Sequence, residues 1–519
     1  MMRTSRLRTS SSKTTPLRAR AAAVVVSIAL LCVAAMAQEG EHSAPVSTRG
    51  NKHSEGWAKA MRLKGPPLPP KFPRVGVEIE RTVLDNGLIV YMQEDHRLPL
   101  VDAQVLIRTG SYYESPDELR TANLTGELLR TGGTRNFSPE KLEERLDFIA
   151  ANLSVNMQTE QCSVALNVMS KDVDEGLRIL ADVLRNPIFD SLRLEIAKSQ
   201  TIHSLRSSND SPGSILQREF RRLMYTDAHP GGRYPAVERI QQISREDLIR
   251  FHQKFFHPNQ IMIGLTGDFN KAAMLVKIKQ LFGEWPRQDV ALPALPKVNP
   301  QPKPGVYYVQ KQVNQTSFWM AHWGINRENP DRFAIDLMND ILGGSALDSR
   351  VGERVRTNEG LAYSVGTVYN TSLRDINFFV ALAQTKTEST VQAIQSTIDE
   401  IRKMRAEKIS TNEFDSAKEM FLYSQVFQYT EPSRALGALM NLEFEKLPPD
   451  YLEKEFSGYQ AVTAADIDRV ARQYLKPEEL TIFVVGDFAK ISKEAAALGP
   501  IHEVTPFQFE AASPRPSRQ

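Results

Sequence analysis

Ile243-Ser-Arg-Glu-Asp-Leu-Ile-Arg-Phe-His-Gln-Lys-Phe-Phe-His-Pro258 and Val462-Thr-Ala-Ala-Asp-Ile-Asp-Arg-Val-Ala-Arg-Gln-Tyr-Leu-Lys-Pro477 are two writings of one unit. Each opens on a Ser or Thr placed to cap a helix, carries an apolar face of helical period (Leu248, Phe251, Phe255; Ile467, Val470, Tyr474), and stops at proline. Nine residues past each proline an apolar run ends in Gly-Asp-Phe, at Gly267-Asp268-Phe269 and Gly486-Asp487-Phe488. The offset from Pro258 to Pro477 is 219 residues, and Ala197-Lys198 recurs near that offset as Ala417-Lys418. The chain therefore reads as one fold written twice in succession.

Between the copies, Trp285 to Gly305 carries Pro286, Pro293, Pro296, Pro300, Pro302 and Pro304, the composition of a stiff extended linker. The expected division is 1–37 targeting segment, 38–76 Pro-rich lead-in, 77–285 first domain, 286–305 linker, 306–495 second domain and 496–519 tail. Within the first half, Gly87 to Met92 and Val101 to Arg108 read as strands, and Leu153 to Val168 as a strand pair. Ser138-Pro139-Glu140 opens a helix with Leu142, Leu146 and Ile149 on one face, and Lys171 to Leu184 is amphipathic up to Asn186-Pro187. A mostly antiparallel sheet with helices on one face is the expected unit, giving an α+β fold with two homologous halves.

Length and charge narrow the function. At 519 residues, with 41% hydrophobic and 24% charged residues, the chain has the composition of a multidomain globular protein. Residues 1–37 hold six cations (Arg3, Arg6, Arg8, Lys13, Arg18, Arg20) and no acid, and their second part, Ala21 to Ala37, is almost wholly apolar and ends Ala35-Met36-Ala37. That is a secretory signal pattern, with a retained anchor or a mitochondrial presequence as alternatives; the apolar run is shorter than the ~20 residues that span a bilayer. Leu31 before Cys32 does not suit a lipoprotein cysteine. Removing this segment takes six of 64 cations and none of 62 acids, leaving a net charge of −4, which argues against electrostatic nucleic-acid binding. Cys162 then stands alone, so no internal disulfide or thiolate metal cluster forms. No Gly-x-Ser-x-Gly elbow or phosphate-binding loop is present.

Asn86-Gly87-Leu88, Gly110-Ser111, Arg130-Thr-Gly-Gly-Thr134, Arg185-Asn-Pro-Ile-Phe-Asp190 and the two Pro-x8-Gly-Asp blocks occur in order with Leu342-Gly-Gly344 and Gly360-Leu-Ala-Tyr363. Together they resemble the pitrilysin/insulinase family of zinc metallopeptidases, which includes the mitochondrial processing peptidases. The resemblance runs from about Val77 to Phe488 and implies two α+β halves forming a clamshell around unfolded peptide. It also implies zinc held by His-x-x-Glu-His plus a distant Glu, since histidines four apart share a helix face and the carboxylate between them activates the metal-bound water.

Those residues are replaced here. The motif falls on Ala122-Asn-Leu-Thr-Gly-Glu127, placing Asn123 at the first histidine, Gly126 at the general base and Glu127 at the second histidine, while the third ligand position falls on Ser204. A neutral amide is a poor ligand for zinc, glycine accepts no proton, and serine is not a carboxylate. None of the nine histidines offers another zincin spacing; His252 and His257, five apart with no acid between, point in different directions. By contrast, Arg356 and Tyr363 match the family's Arg/Tyr pair, which in active members grips the substrate backbone. Ser345 to Asn358 is the expected helix before the pair's turn, Gly360 its stop, Leu361 to Val368 the following strand, and Gly343-Gly344 a turn of close backbone approach.

The resemblance thus implies a non-catalytic, substrate-binding subunit, with no metal of its own, in a heterodimer whose homologous partner brings zinc and base to cleave unfolded peptides. The expected location is periplasmic or secreted, or mitochondrial on the alternative reading of the leader, with no nucleic acid and no stable membrane span after cleavage. An assembly scaffold without a part in proteolysis, and a self-sufficient peptidase with an unrecognised metal site, stay open as alternatives.

Overall fold

The repeat read from sequence returns as paired fastenings in space. The computed structural model describes residues 70–298, 302–345, 347–371 and 376–510; the targeting segment, with Cys32, and most of the lead-in lie outside the described residues. Ser244 and Thr463 cap their helices, each hydroxyl accepting from the amide of Asp247 or Asp466, whose carboxylate accepts the cap's own amide in return. Just ahead of each cap, the carbonyl of Ile243 or Val462 accepts the recurring lysine, Lys198 Nζ at 3.1 Å and Lys418 Nζ at 2.7 Å. The lysines recur because each half ties its helix start to the same neighbour.

The first half holds β1 (Glu80–Val83), β2 (Ile89–Glu94), β3 (Leu100–Ile107), α1 (Thr121–Thr131), α2 (Pro139–Phe148), β4 (Asn152–Met157), β5 (Cys162–Met169), α3 (Val173–Arg185), α4 (Ser191–Ser207), α5 (Pro212–Tyr225), α6 (Val237–Gln242), α7 (Arg245–Phe255), β6 (Ile261–Gly267) and α8 (Lys271–Phe282). The second holds β7 (Gly305–Gln310), β8 (Gln315–Trp323), α9 (Arg332–Asn339), β9 (Ala362–Tyr369), β10 (Phe378–Lys386), α10 (Thr390–Ala406), α11 (Thr411–Gln428), α12 (Pro432–Phe444), α13 (Tyr451–Ala461), α14 (Ala464–Tyr474), β11 (Thr481–Gly486), α15 (Ser492–Ala495) and β12 (Ile501–Glu503). The sheets run β1-β2-β6-β3-β5-β4 and β12-β7-β11-β8-β10-β9, equivalent strand for strand except at the outermost position. Pairing is antiparallel except β2 with β6, β7 with β11, and β12 with β7. Each half is the expected α+β unit.

Each sheet packs its own helices on one face. In the first core Ile107, Val164 and Ile263 meet Leu124, Leu128 and Leu180; in the second Phe318 and Val484 meet Ile335, Ile394 and Val470. β6 and β11 are buried on both faces, because the opposite face of each sheet is covered by a helix from the other half. Helix α5 lays Ile215, Leu216, Phe220 and Met224 on the second sheet, with the Phe220 ring 5.3 Å from Trp319 and 5.2 Å from Phe378. Helix α12 returns the exchange, laying Leu436, Leu439 and Met440 on Tyr91, Leu106 and Met262 of the first sheet. Gly264 makes room for it, since a Cβ there would stand 2.2 Å from Leu436 and 2.3 Å from Met440 Sδ. Burying such side chains stabilises by about 1.5–3 kcal/mol each, so neither helix lifts off without a large loss and the halves fold as one body.

The sequence reading closes the second domain at 495. Ile501–Glu503 nonetheless pair with β7 as β12, and residues 504–510 cross to the first half. There the Phe507 amide donates to Glu219 Oε1 at 2.8 Å, and the rings of Phe507 and Phe509 lie 4.7 and 4.9 Å from the guanidinium carbons of Arg222 and Arg218. These rings shield a buried Arg–Glu cluster on α5, which is why this segment packs. Cys162 is buried on β5, its thiol pushed up to about 12 by desolvation, and is inert as a nucleophile. No described helix is long and apolar enough to cross a membrane.

Candidate functional site

The helix that aligns with the family's metal motif is α1. Its N-cap Arg120 is left-handed, φ 77°, and offers no side-chain cap. Glu114 reaches in from the preceding loop instead, accepting the amides of Ala122 at 2.5 Å and Arg120 at 3.2 Å. Burial pushes the Glu114 carboxyl up to about 8 against the pull of those amides. Helix α1 packs on β4, α4 and α7.

On this helix Asn123 is half-buried, Gly126 buried and Glu127 exposed, with partial desolvation raising the Glu127 carboxyl. A Cβ at Gly126 would stand 2.7 Å from the Cβ of Met157 on β4. Glycine therefore serves the packing of strand against helix, and the general-base position is closed by a neighbour as well as empty of a side chain. Gly126→Glu is expected to cost about 1–3 kcal/mol through overpacking, read as a lower urea midpoint. A midpoint equal to wild type would show that β4 yields freely.

Ser204 lies exposed in the last turn of α4, its carbonyl accepting from the Ser207 hydroxyl and the Ser208 amide. Asn123, Gly126, Glu127 and Ser204 are thus one amide, one bare backbone, one carboxyl and one hydroxyl, a set that does not suit zinc. Among the described residues no three His, Cys, Asp or Glu side chains converge on a place that could hold a metal ion. Three buried histidines are engaged in structure: His252 Nε2 pairs with Leu184 O, His257 Nε2 with Gln253 O, and His322 bridges Trp323 O and the Lys476 amide.

The second half carries a different arrangement. The helix expected over 345–358 starts later: helical backbone begins at Arg350, and Gly352–Asn358 is wound as a π-helix. Ser345 is the reason, since its hydroxyl accepts the Asp348 amide at 3.3 Å in a local turn that competes with helix. Gly343, in a second π-helical stretch, lies against Thr367 of β9, the expected close approach. After the π-helix, Gly360 turns the chain at φ 64° into the edge strand β9.

That turn brings Arg356 and Tyr363 together. The Arg356 guanidinium carbon lies 5.2 Å from the centre of the Tyr363 ring, which is 71% exposed. Neighbouring arginines are committed to carboxylates: Arg350 binds Glu413 at 2.6 and 3.2 Å, and Arg354 reaches Glu359 at 2.9, Glu400 at 2.9 and Asp399 at 3.3 Å. Among the described residues the Arg356 guanidinium makes no hydrogen bond or ion pair, and neither does the Tyr363 hydroxyl. A planar fork of N–H donors and a phenol stand side by side, free to bind a peptide carbonyl. Sequence reasoning missed Arg354, the positioning residue that pins this turn to α10; its only signal was Glu359 five residues on, across the glycine turn.

Comparison with known proteins identifies the family. Residues 89–232 match the family model described as Insulinase (Peptidase family M16), and residues 242–421 the model described as Peptidase M16 inactive domain. The probable mitochondrial-processing peptidase subunit beta of Arabidopsis thaliana is 23% identical over 424 residues, 79% of this chain and 78% of its own length. The non-peptidase homolog YmxG of Helicobacter pylori is 22% identical over 403 residues, 77% of this chain and 92% of its own. A solved peptidase M16 inactive domain from Pseudomonas fluorescens shares the fold at TM-score 0.71 and 22% identity, covering 79% of this chain and 98% of that one. Since the two models together match more than half of its length, the chain belongs to the insulinase-type peptidase family M16.

Proposed function

We propose that this chain is the non-catalytic, substrate-binding subunit of a two-chain zinc peptidase, exported from the cytoplasm with a homologous partner that brings metal and general base. The observation that carries the reading is the contrast between the halves. On α1 every donor the metal chemistry needs is replaced, and Gly126 is closed by Met157. At the edge of the second sheet an exposed Tyr363 and an unpaired Arg356 face solvent with their donors available. In this role Arg356 donates to the carbonyl of an extended peptide while the Tyr363 ring holds the guanidinium and its hydroxyl donates beside it; bond cleavage is left to the partner.

The name of the Arabidopsis relative, one subunit of a processing peptidase, supports a divided apparatus. That of the Helicobacter relative, a non-peptidase homolog, favours a second reading as an assembly protein with no part in proteolysis. The signal-like residues 1–37 support export, with mitochondrial import as the alternative. Mixing the purified chain with a zinc-bearing homologue from the same source should raise hydrolysis of an unfolded reporter peptide well above that of either alone. A partner rate that does not change on mixing supports the scaffold; chelator-sensitive cleavage by the pure chain overturns both readings.

A further inference from the structure

Helix α11 carries an apolar stripe that its own fold does not use. Phe421 and Leu422 turn to the second core, where the Phe421 ring lies 5.0 Å from that of Tyr459. Met420 and Phe427 are turned away from it and are 50% and 69% exposed. They stand seven residues apart, about two turns of helix, so they share one face. Helix α11 is the second-half copy of α4, the two matched through Lys418 and Lys198, and the positions on α4 equivalent to Met420 and Phe427 are Gln200 and Ser207, both exposed. The helix thus folds with polar residues on this face, and the second half has large apolar ones in their place.

The stripe leads away from the Arg356/Tyr363 clamp. Seven residues before Met420, on the same face, Glu413 holds Arg350, and Arg350 opens the helical segment that carries Arg356. Helix α11 also packs on the π-helical stretch 340–344, whose Gly343 lies against β9, the strand of Tyr363. Along the helix axis Met420 lies about 10 Å and Phe427 about 21 Å from Glu413. An extended chain rises ~3.3 Å per residue, so one gripped at Arg356 and Tyr363 reaches both side chains within about eight residues.

Size selects the occupant. Two side chains of this kind present on the order of 200 Å² of apolar surface. A stable subunit contact takes about 800 Å² from each partner. The stripe matches one or two bulky side chains of a bound peptide and falls well short of a subunit interface.

We propose that Met420 and Phe427 form an apolar subsite for the peptide held by Arg356 and Tyr363, so that this chain selects unfolded segments with a large aliphatic or aromatic residue near the gripped carbonyl. The inference rests on the clamp reading of that pair. Fluorescence anisotropy of the full chain tests it with a labelled Ser/Thr/Gln dodecapeptide carrying two Phe residues and with the counterpart carrying Ser at both. The Phe peptide should bind at least tenfold more tightly. Exchanging the stripe for its α4 equivalents, Met420→Gln with Phe427→Ser, should bring the Phe peptide to within twofold of the Ser peptide, leaving the affinity for the latter and the melting temperature unchanged. Arg356→Ala should weaken both peptides by the same factor. Equal binding of the two peptides by wild type, or a preference that survives in the double variant, overturns the subsite; the clamp then stands if Arg356→Ala still weakens both. If wild type binds neither peptide at millimolar concentration, or Arg356→Ala binds both as tightly as wild type, the clamp falls and the subsite with it. A wild-type dimer that the double variant breaks in sedimentation assigns the face to a second copy and overturns the proposal.

Discussion

Arg356→Ala should lower kcat/KM for peptide hydrolysis by the reconstituted pair by roughly 10²–10³, or about 3 kcal/mol, the scale of losing one well-placed donor to a reacting carbonyl. The expectation follows from what Arg356 does not do in the resting chain. Its guanidinium lies on the Tyr363 ring and binds no carboxylate, so truncation leaves no buried charge unpaired and breaks no network. The melting temperature should stay within a degree or two of wild type, and the loss should be confined to turnover. Tyr363→Phe makes the companion variant: it keeps the ring under the guanidinium and removes only the hydroxyl, so a loss there assigns the phenol its own bond to substrate. If Arg356→Ala hydrolyses peptide as fast as wild type in the pair, the clamp assignment is wrong even if the subunit reading survives.

What could be read from the sequence, and what could not, divides along physical lines. The repeat was legible because its fastenings are local: a hydroxyl and a carboxylate three residues apart, as in Ser244 with Asp247, leave their mark in consecutive letters. The replacement of the motif's histidines was legible too, since a missing imidazole is a matter of identity alone. The exchange of α5 and α12 was not. Helical period shows that Ile215, Leu216, Phe220 and Met224 share a face, but it carries no information on which sheet that face meets, and both helices chose the sheet of the other half. Gly126 likewise reads as a degenerate letter until Met157 is seen against it. The packing of Phe507 and Phe509 was hidden by their Pro-containing surroundings and depends on Arg218 and Arg222, nearly three hundred residues earlier.

Acid should weaken the fold through two buried histidines. His252 donates Nε2–H to Leu184 O at 2.9 Å and stacks on Phe256 at 4.6 Å; His322 donates Nδ1–H to Trp323 O and accepts the Lys476 amide on Nε2. Both rings are neutral in these roles, and burial lowers each to about 4 from the ordinary 6.5. Between pH 6.5 and 4 the unfolded chain therefore binds more protons at these positions than the folded one, and their contribution to stability is lost as pH falls through that window. Each is worth about 3 kcal/mol at full effect. Glu114, raised to about 8, and Asp336 and Asp340, raised to about 6, all by burial, act in the opposite sense, since protonation relieves them in the folded state as pH falls. The wild-type curve alone mixes the two, so the decisive quantity is a difference. His322→Gln should be less stable than wild type at pH 7.5, where it loses packing and one of two hydrogen bonds, and should regain about 3 kcal/mol relative to wild type by pH 4. Urea midpoints of the two proteins across that range check it. Parallel curves would mean that His322 accepts its second proton inside the fold, with Lys476 giving way, and that acid sensitivity lies elsewhere.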